Sequence, residues 1–248
     1  MSLPVYIVSA KRTPIGRFQG VFSHIPASEL GAVVLSNLLK DQSIPLEKVG
    51  ECLVGQVLTA GVGQAPARQT AIRGGLSSST PCVTVNKVCG SGLKAIMMAC
   101  DSIELKRAEV VVAGGQENMS LAPHILPGSR KGMSLGSAAL QDTLLEDGLL
   151  NPYDNRHMGV IGEVCAEKYG ISREEQDEFA KGSYEKALQA QKKGWFKDEI
   201  VPVPVKEKAK EINILEDEEP ARARFEKMAR LPTIFKKNGT ITPANASK

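Results

Sequence analysis

Among the residues of this 248-residue chain that could carry chemistry, Cys89 has the most suggestive setting. In the stretch Val85-Asn86-Lys87-Val88-Cys89-Gly90-Ser91-Gly92-Leu93, strand-forming residues lead to the cysteine, small residues follow, and a strongly patterned helix begins. A thiol at a helix N-terminus meets unsatisfied backbone N–H groups and the positive end of the macrodipole, both of which favour negative charge. That setting suits a thiolate nucleophile. The alternative is a buried structural thiol, because free cysteine is among the most buried residue types. Of the other cysteines, Cys52, Cys82 and Cys100 lie in apolar patterns that read as packing positions, and Cys165 stands apart. An odd count of five without Cys-x-x-Cys spacing argues against a disulfide scaffold or zinc knuckle. His24, His124 and His157 are too scattered to read as a metal site.

Two further features are candidates for binding. Residues 222–237 gather Arg222, Arg224, Lys227, Arg230, Lys236 and Lys237 against a single Glu226, which is either a solvated basic face or an anion-binding surface. Glu117 follows a Gly-Gly pair and could be taken for a base. No Gly-x4-Gly-Lys-Ser/Thr occurs, and Gly61-Val62-Gly63 lacks the rest of a dinucleotide fingerprint, so neither a Walker loop nor NAD is expected. A net charge of +3 does not call for nucleic acid, and 42% hydrophobic with 24% charged residues fits a soluble globular chain. No run approaches the roughly 18 apolar residues that span a bilayer. The N-terminus shows no basic region or cleavage pattern of a secretory signal. A cytoplasmic protein is the expectation.

The elements that must hold these residues alternate through the first 115 positions. Strands are predicted at 5–10, 52–58, 82–88 and 109–113, the last closed by Gly114-Gly115. A helix capped by Ser28 runs to Lys40, with Leu30, Val33, Val34, Leu38 and Leu35 apolar. Pro66 opens a second helix that Gly74-Gly75 ends. In the third, Leu93, Ile96, Met97, Cys100 and Ile103 recur on one face and predict the side that packs. Short apolar strands alternating with helices imply an α/β fold, a largely parallel sheet covered on both faces. Beyond Asn118 the texture changes to an irregular α+β unit. Helices are predicted at 136–147, 159–169 and 172–193, the last opened by the capping box Ser172-x-x-Glu175. An edge strand or extended loop follows at 199–205, and 206–221 is charged and expected to be exposed. The length allows one large domain or two ordinary ones, read here as 1–118 and 119–248.

Val85–Gly92 closely resembles the nucleophile motif of the thiolase family. Other segments match in order: Val8-Ser9-Ala10-Lys11-Arg12-Thr13-Pro14-Ile15-Gly16, Gly63-Gln64-Ala65-Pro66-Ala67-Arg68-Gln69, and Val111–Ser120 with its Gly114-Gly115-Gln116-Glu117-Asn118-Met119. His157-Met158-Gly159, Glu174-Glu175-Gln176-Asp177 and Asn245-Ala246-Ser247 complete the set. The resemblance covers the whole chain and implies a thiolase-like half-fold: a mostly parallel, mixed sheet covered by helices, with a loop domain.

The chemistry it implies is a reversible Claisen condensation of two acetyl-CoA to acetoacetyl-CoA through an acyl-Cys89 intermediate. Such a reaction needs a thiolate, a base for a weakly acidic C–H, and donors for two oxyanions. Cys89 supplies the first, the resemblance implies that Glu117 is a buried structural carboxylate and not the base, and the second catalytic cysteine, the histidine and an asparagine of the family belong to a C-terminal half, expected after Ser247. The chain alone is therefore expected to be incomplete for condensation. The resemblance also implies that Arg222, Arg224 and Lys227 meet the nucleotide end of CoA, that Ser247 meets its pantetheine arm, and that His157 and Met158 line the channel to Cys89. It implies K⁺ as a possible ion, held by Tyr184 of Ser183-Tyr184 with carbonyls of Pro243, Ala244 and Ala246; Tyr184 as an ordinary helix residue stays open. No organic cofactor, nucleic acid or membrane is implied, and a homodimer or homotetramer is. A broad-chain degradative 3-ketoacyl-CoA thiolase, a non-catalytic CoA-binding fragment, and a redox switch pairing Cys89 with Cys82 or Cys100 remain as alternatives.

Overall fold

The computed structural model describes residues 4–40, 44–207 and 210–247. Its first half is built on a parallel sheet of β1 (Val49–Gly55), β2 (Cys82–Val85) and β3 (Val110–Gly115), in the order β2-β1-β3. The central position of β1 is marked by Cys52, which faces Cys82 on one side and Val112 on the other. Successive side chains alternate across the sheet. Cys52 and Val54 pack with Leu35 of α1 (Ala27–Lys40) and with Ala67 and Ala71 of α2 (Pro66–Arg73). Leu53 points the other way, onto Ala95 and Ala99 of α3 (Ser91–Glu104). The strand at 52–58 thus starts and ends earlier than predicted, and that at 82–88 stops at Val85. In α1 the helix begins at Ala27, which leaves Ser28 inside it, and Leu35 and Leu30 are the leucines most deeply buried.

Helix α3 packs by the face opposite to the one its large residues predict. Ser91, Ala95, Ala99 and Ser102 are buried, whereas Leu93 is 66% exposed, Met97 50% and Ile96 45%. Small side chains at Ser91, Ala95 and Ala99 allow the helix axis to approach the sheet closely, and Met98 packs beside them against the same cluster.

Residues 5–10 make no strand. Tyr6 and Ile7 are exposed, and a cleft of about 950 Å³ separates this segment from β3. The chain is instead tied two residues later, at an isolated parallel bridge between Arg12 and Ile200. Arg12 reaches across to the second half of the chain: its Nε donates to Glu199 (2.6 Å) and its Nη1 to Asp217 (2.7 Å). The neighbouring Glu218 carboxylate accepts the N–H groups of Arg17 and Val21, each at 3.1 Å.

In the second half, the predicted helix at 136–147 is replaced by the two-residue pair β4 (His124–Ile125) with β5 (Gln141–Asp142), followed by a π-type turn, Leu145–Leu149. Gly136 at φ +126° leaves the helical region, and Leu135 and Leu140 stay exposed without an apolar partner surface to order them. The two later helices form as predicted: α4 (Met158–Tyr169) and α5 (Arg173–Lys193), ended by Gly170 and Gly194 in the left-handed conformation. The capping box of Ser172 and Glu175 is present in full. The charged segment after 205 is not simply exposed chain. β6 (Val203–Glu207) pairs antiparallel with β7 (Lys210–Ile214), and Asp217 is buried against Arg12; Lys208 and Ala209 lie outside the described residues. A short helix, α6 (Phe225–Met228), follows the 3-10 turn Pro220–Arg222.

Candidate active site

Cys89 lies on the turn between β2 and α3, one residue before the helix N-cap Gly90, and is exposed. The turn is tight. Val88 adopts φ +47°, a left-handed conformation unfavourable for a β-branched residue. Ser91, itself 4% exposed, holds it closed: its Oγ donates to the Val88 carbonyl (2.6 Å) and accepts from the Lys87 N–H (2.8 Å). Asn86 adds an acceptor for the Val88 N–H at 3.0 Å. The first turn of α3 rests on the carboxyl ends of β1 and β3, where ligands of parallel sheets commonly bind. That contact requires glycine. A Cβ on Gly55 would stand 2.5 Å from the Ser91 carbonyl carbon, and one on Gly115 3.1 Å from the Gly92 Cα.

The remaining thiols differ from Cys89. Burial, with Cys82 and Glu51 nearby, pushes the Cys52 thiol up to about 12, which makes it inert. Cys82 opens β2, at the end away from Cys89, and its thiol donates to the Thr80 carbonyl at 3.3 Å. Burial also raises Cys82, against the opposing pull of Arg68. Cys100 is half-buried and Cys165 exposed.

Glu117 is half-buried and accepts the N–H groups of Val57 (2.8 Å) and Leu58 (3.4 Å). Burial raises its pKa despite these bonds. It fastens the chain leaving β1, as expected of a structural carboxylate.

The second group of site residues is assembled by α4, α5 and the segment 222–247. His157 is the N-cap of α4; its Nδ1 accepts from the Gly159 N–H at 2.9 Å, and its ring stacks on Phe235 at 4.8 Å. Met158 beside it is exposed. Arg222, Arg224 and Lys227 are all exposed on the turn and helix around α6. Arg173 at the start of α5 donates to the carbonyls of Met228 (2.8 Å) and Leu231 (3.3 Å), so the basic segment is anchored from beneath. Tyr184 is half-buried with Phe225 edge-on at 6.3 Å. The loop 239–247 is fastened to both helices, and Ser247 at its end is exposed. His157 and the 235–247 segment are therefore brought together, whereas no hydrogen bond among the described residues joins Cys89 to them.

Sequence reading missed Glu163 and Asp177 as organisers. Glu163 is 3% exposed and accepts from the N–H of Thr240 (2.8 Å), the N–H of Ile241 (2.8 Å) and Thr240 Oγ1 (3.0 Å). Burial works against its charge, but the bonds from Ile241 and Thr240, with Lys236 nearby, hold the carboxyl below its ordinary value. Its signal was present, a lone acid among Val160, Ile161, Val164 and Ala166. Asp177 reads in sequence as the i+4 partner of Arg173, a pair common on solvated helix faces. Its second partner, Asn245, is 68 residues away.

Comparison with known proteins identifies the family of the chain. The thiolase N-terminal domain family matches residues 5–248. The acetyl-CoA acetyltransferase of Cupriavidus necator is 52% identical over 245 residues, 98% of this chain and 62% of that protein. The acetyl-CoA acetyltransferase of Pseudomonas aeruginosa is 49% identical, with 98% of this chain and 62% of that protein covered. A probable acetyl-CoA acyltransferase of Staphylococcus aureus is 44% identical over the same shares. The chain thus spans about three fifths of the length of these curated relatives. With a family match over residues 5–248, this chain belongs to the thiolase N-terminal domain family.

Proposed function

We propose that this chain is the nucleophile-bearing part of an acetyl-CoA acetyltransferase. Cys89 attacks the carbonyl of acetyl-CoA; a bond forms from Sγ to the acetyl carbon, the carbon–sulfur bond to CoA breaks, and CoA leaves as the thiol with the proton that Cys89 gave up. The observation that carries this reading is the exposed Cys89 on a strained turn held by Ser91, at the sheet end from which ligands are approached. Relatives of about 50% identity named acetyl-CoA acetyltransferase give the acyl group and its carrier.

Residues 1–118 supply the nucleophile in this reading, and 119–248 form the surface for CoA. Arg222, Arg224 and Lys227 face solvent and would meet the phosphates, while Ser247, His157 and Met158 would line the path of the pantetheine arm. His157 accepts at Nδ1, so its neutral form carries the proton on Nε2 and offers a donor there. K⁺ fits the loop chemically: among the described residues no hydrogen bond ends on the carbonyls of Pro243, Ala244 or Ala246, and oxygen ligands suit a hard cation. We assign the protein to the cytoplasm and to a homo-oligomer on the same resemblance; no described helix is long and apolar enough to cross a membrane.

Incubation with acetyl-CoA, followed by proteolysis and mass spectrometry, tests the acylation step. One acetyl group is expected on the peptide carrying Cys89 and none after Cys89→Ala. Acetylation confined to Cys165, the other exposed thiol, would sink the assignment.

A further inference from the structure

The loop 240–246 contributes no helix or strand, yet it is among the most firmly tied segments of the second half. One tie comes from α4, where the Glu163 carboxylate accepts both backbone N–H groups at Thr240 and Ile241 and the Thr240 hydroxyl. Gly239 is required for this approach, since a Cβ there would fall on the carboxylate. The other comes from α5, where Asp177 accepts from Asn245 Nδ2 at 2.8 Å. Asn245 closes the loop on itself, donating to the Thr240 carbonyl (3.0 Å) and accepting from the Thr242 N–H (2.8 Å). Thr242 inside it is fully buried.

Asp177 has a second role. Its other oxygen accepts from Arg173 at 2.7 Å, and Arg173 holds the carbonyls of Met228 and Leu231. One carboxylate thus links the basic segment to the loop that ends in Ser247.

We propose that Glu163 and Asp177 are positioning residues that set the shape of the 240–246 loop for the pantetheine arm of CoA, with Asp177 also fixing its spacing from the nucleotide-binding segment. The proposal rests on the reading of 222–247 as a CoA surface. It separates the two carboxylates: Glu163 touches only the loop, whereas Asp177 serves both ends of the ligand.

Calorimetric titration of the 248-residue chain with CoA and with adenosine 3′,5′-bisphosphate, which lacks the arm, distinguishes them, together with hydrogen exchange at 240–246. In Glu163→Gln, CoA is expected to bind about tenfold more weakly. The nucleotide fragment is expected to bind unchanged, and the loop amides to exchange faster. In Asp177→Asn both ligands are expected to weaken. Equal loss of both ligands in Glu163→Gln would mean a general structural role and overturn the proposal, as would unchanged exchange in the loop. A native chain that binds neither ligand overturns the CoA reading and the purpose of the clamp with it. The exchange data separately decide whether Glu163 holds the loop.

Discussion

The Cys89 turn and the 239–247 loop are held by opposite means. At the turn, backbone meets backbone: Gly55, Gly92 and Gly115 let α3 settle on the strand ends, and a neutral hydroxyl, Ser91, closes the chain around a strained Val88. At the loop, two carboxylates gather N–H groups from a segment without regular structure. The turn relies on close packing, which tolerates no added volume. The loop relies on charge and hydrogen bonding, which tolerate neither protonation nor removal of the carboxylates.

The contrast is broken most directly at Gly55. Gly55→Val is expected to displace the first turn of α3 and to destabilise the chain by about 3 kcal/mol, read as a lower urea midpoint, and to abolish acetylation of Cys89. An unchanged midpoint would show that the close approach is not required. Ser91→Ala removes a buried acceptor and donor together and is expected to cost about 2 kcal/mol.

Acid should separate the regions. Glu163 titrates lower in the folded chain than its ordinary 4.5, so the stability it lends is complete above that pH and is lost as pH falls through the lower folded value. Protection against hydrogen exchange, followed downward from pH 4.5, is expected to fall at 240–246 before it does at 86–92. Simultaneous opening of both segments would contradict separate modes of fastening.

Val88→Gly relieves the left-handed strain while adding chain entropy to the unfolded state, and a net gain of up to about 1 kcal/mol is expected. The smallest effect is expected on the outer face of α3. Met97→Gln should change the stability of this chain by no more than about 0.5 kcal/mol, because Met97 already faces solvent. The same amount of change at Ala95, fully buried against Leu53, would be unexpected, and Ala95→Leu should behave like Gly55→Val.

Much of the frame was readable residue by residue because the physical causes are local. Pro66 opens α2, Ser172 with Glu175 opens α5, and Gly170 and Gly194 end helices by taking the left-handed conformation. Cys89 was readable for the same reason: strand, small residues and helix succeed one another within nine positions. The periodicity of α3 was also readable, but not which face it buries. That choice depends on how near a sheet of β1 and β3 lies, and the side chains fully buried against it are the small ones of Ser91, Ala95 and Ala99, with Met98 beside them.

What the sequence determined alone was therefore most helix ends and the placement of Cys89 between a strand and a helix, both set by interactions within a few residues. Tertiary structure decided the rest. Residues 5–10 have the composition of a strand but find no ladder, since pairing needs a neighbour and the nearest edge, β3, lies across a cleft. Arg12 finds Asp217 some 205 positions away, and Glu163 finds Thr240 across 77. No local signal specifies such partners. A charged side chain reveals what it requires, an opposite charge or a set of N–H donors, and only the folded chain determines which segment provides it.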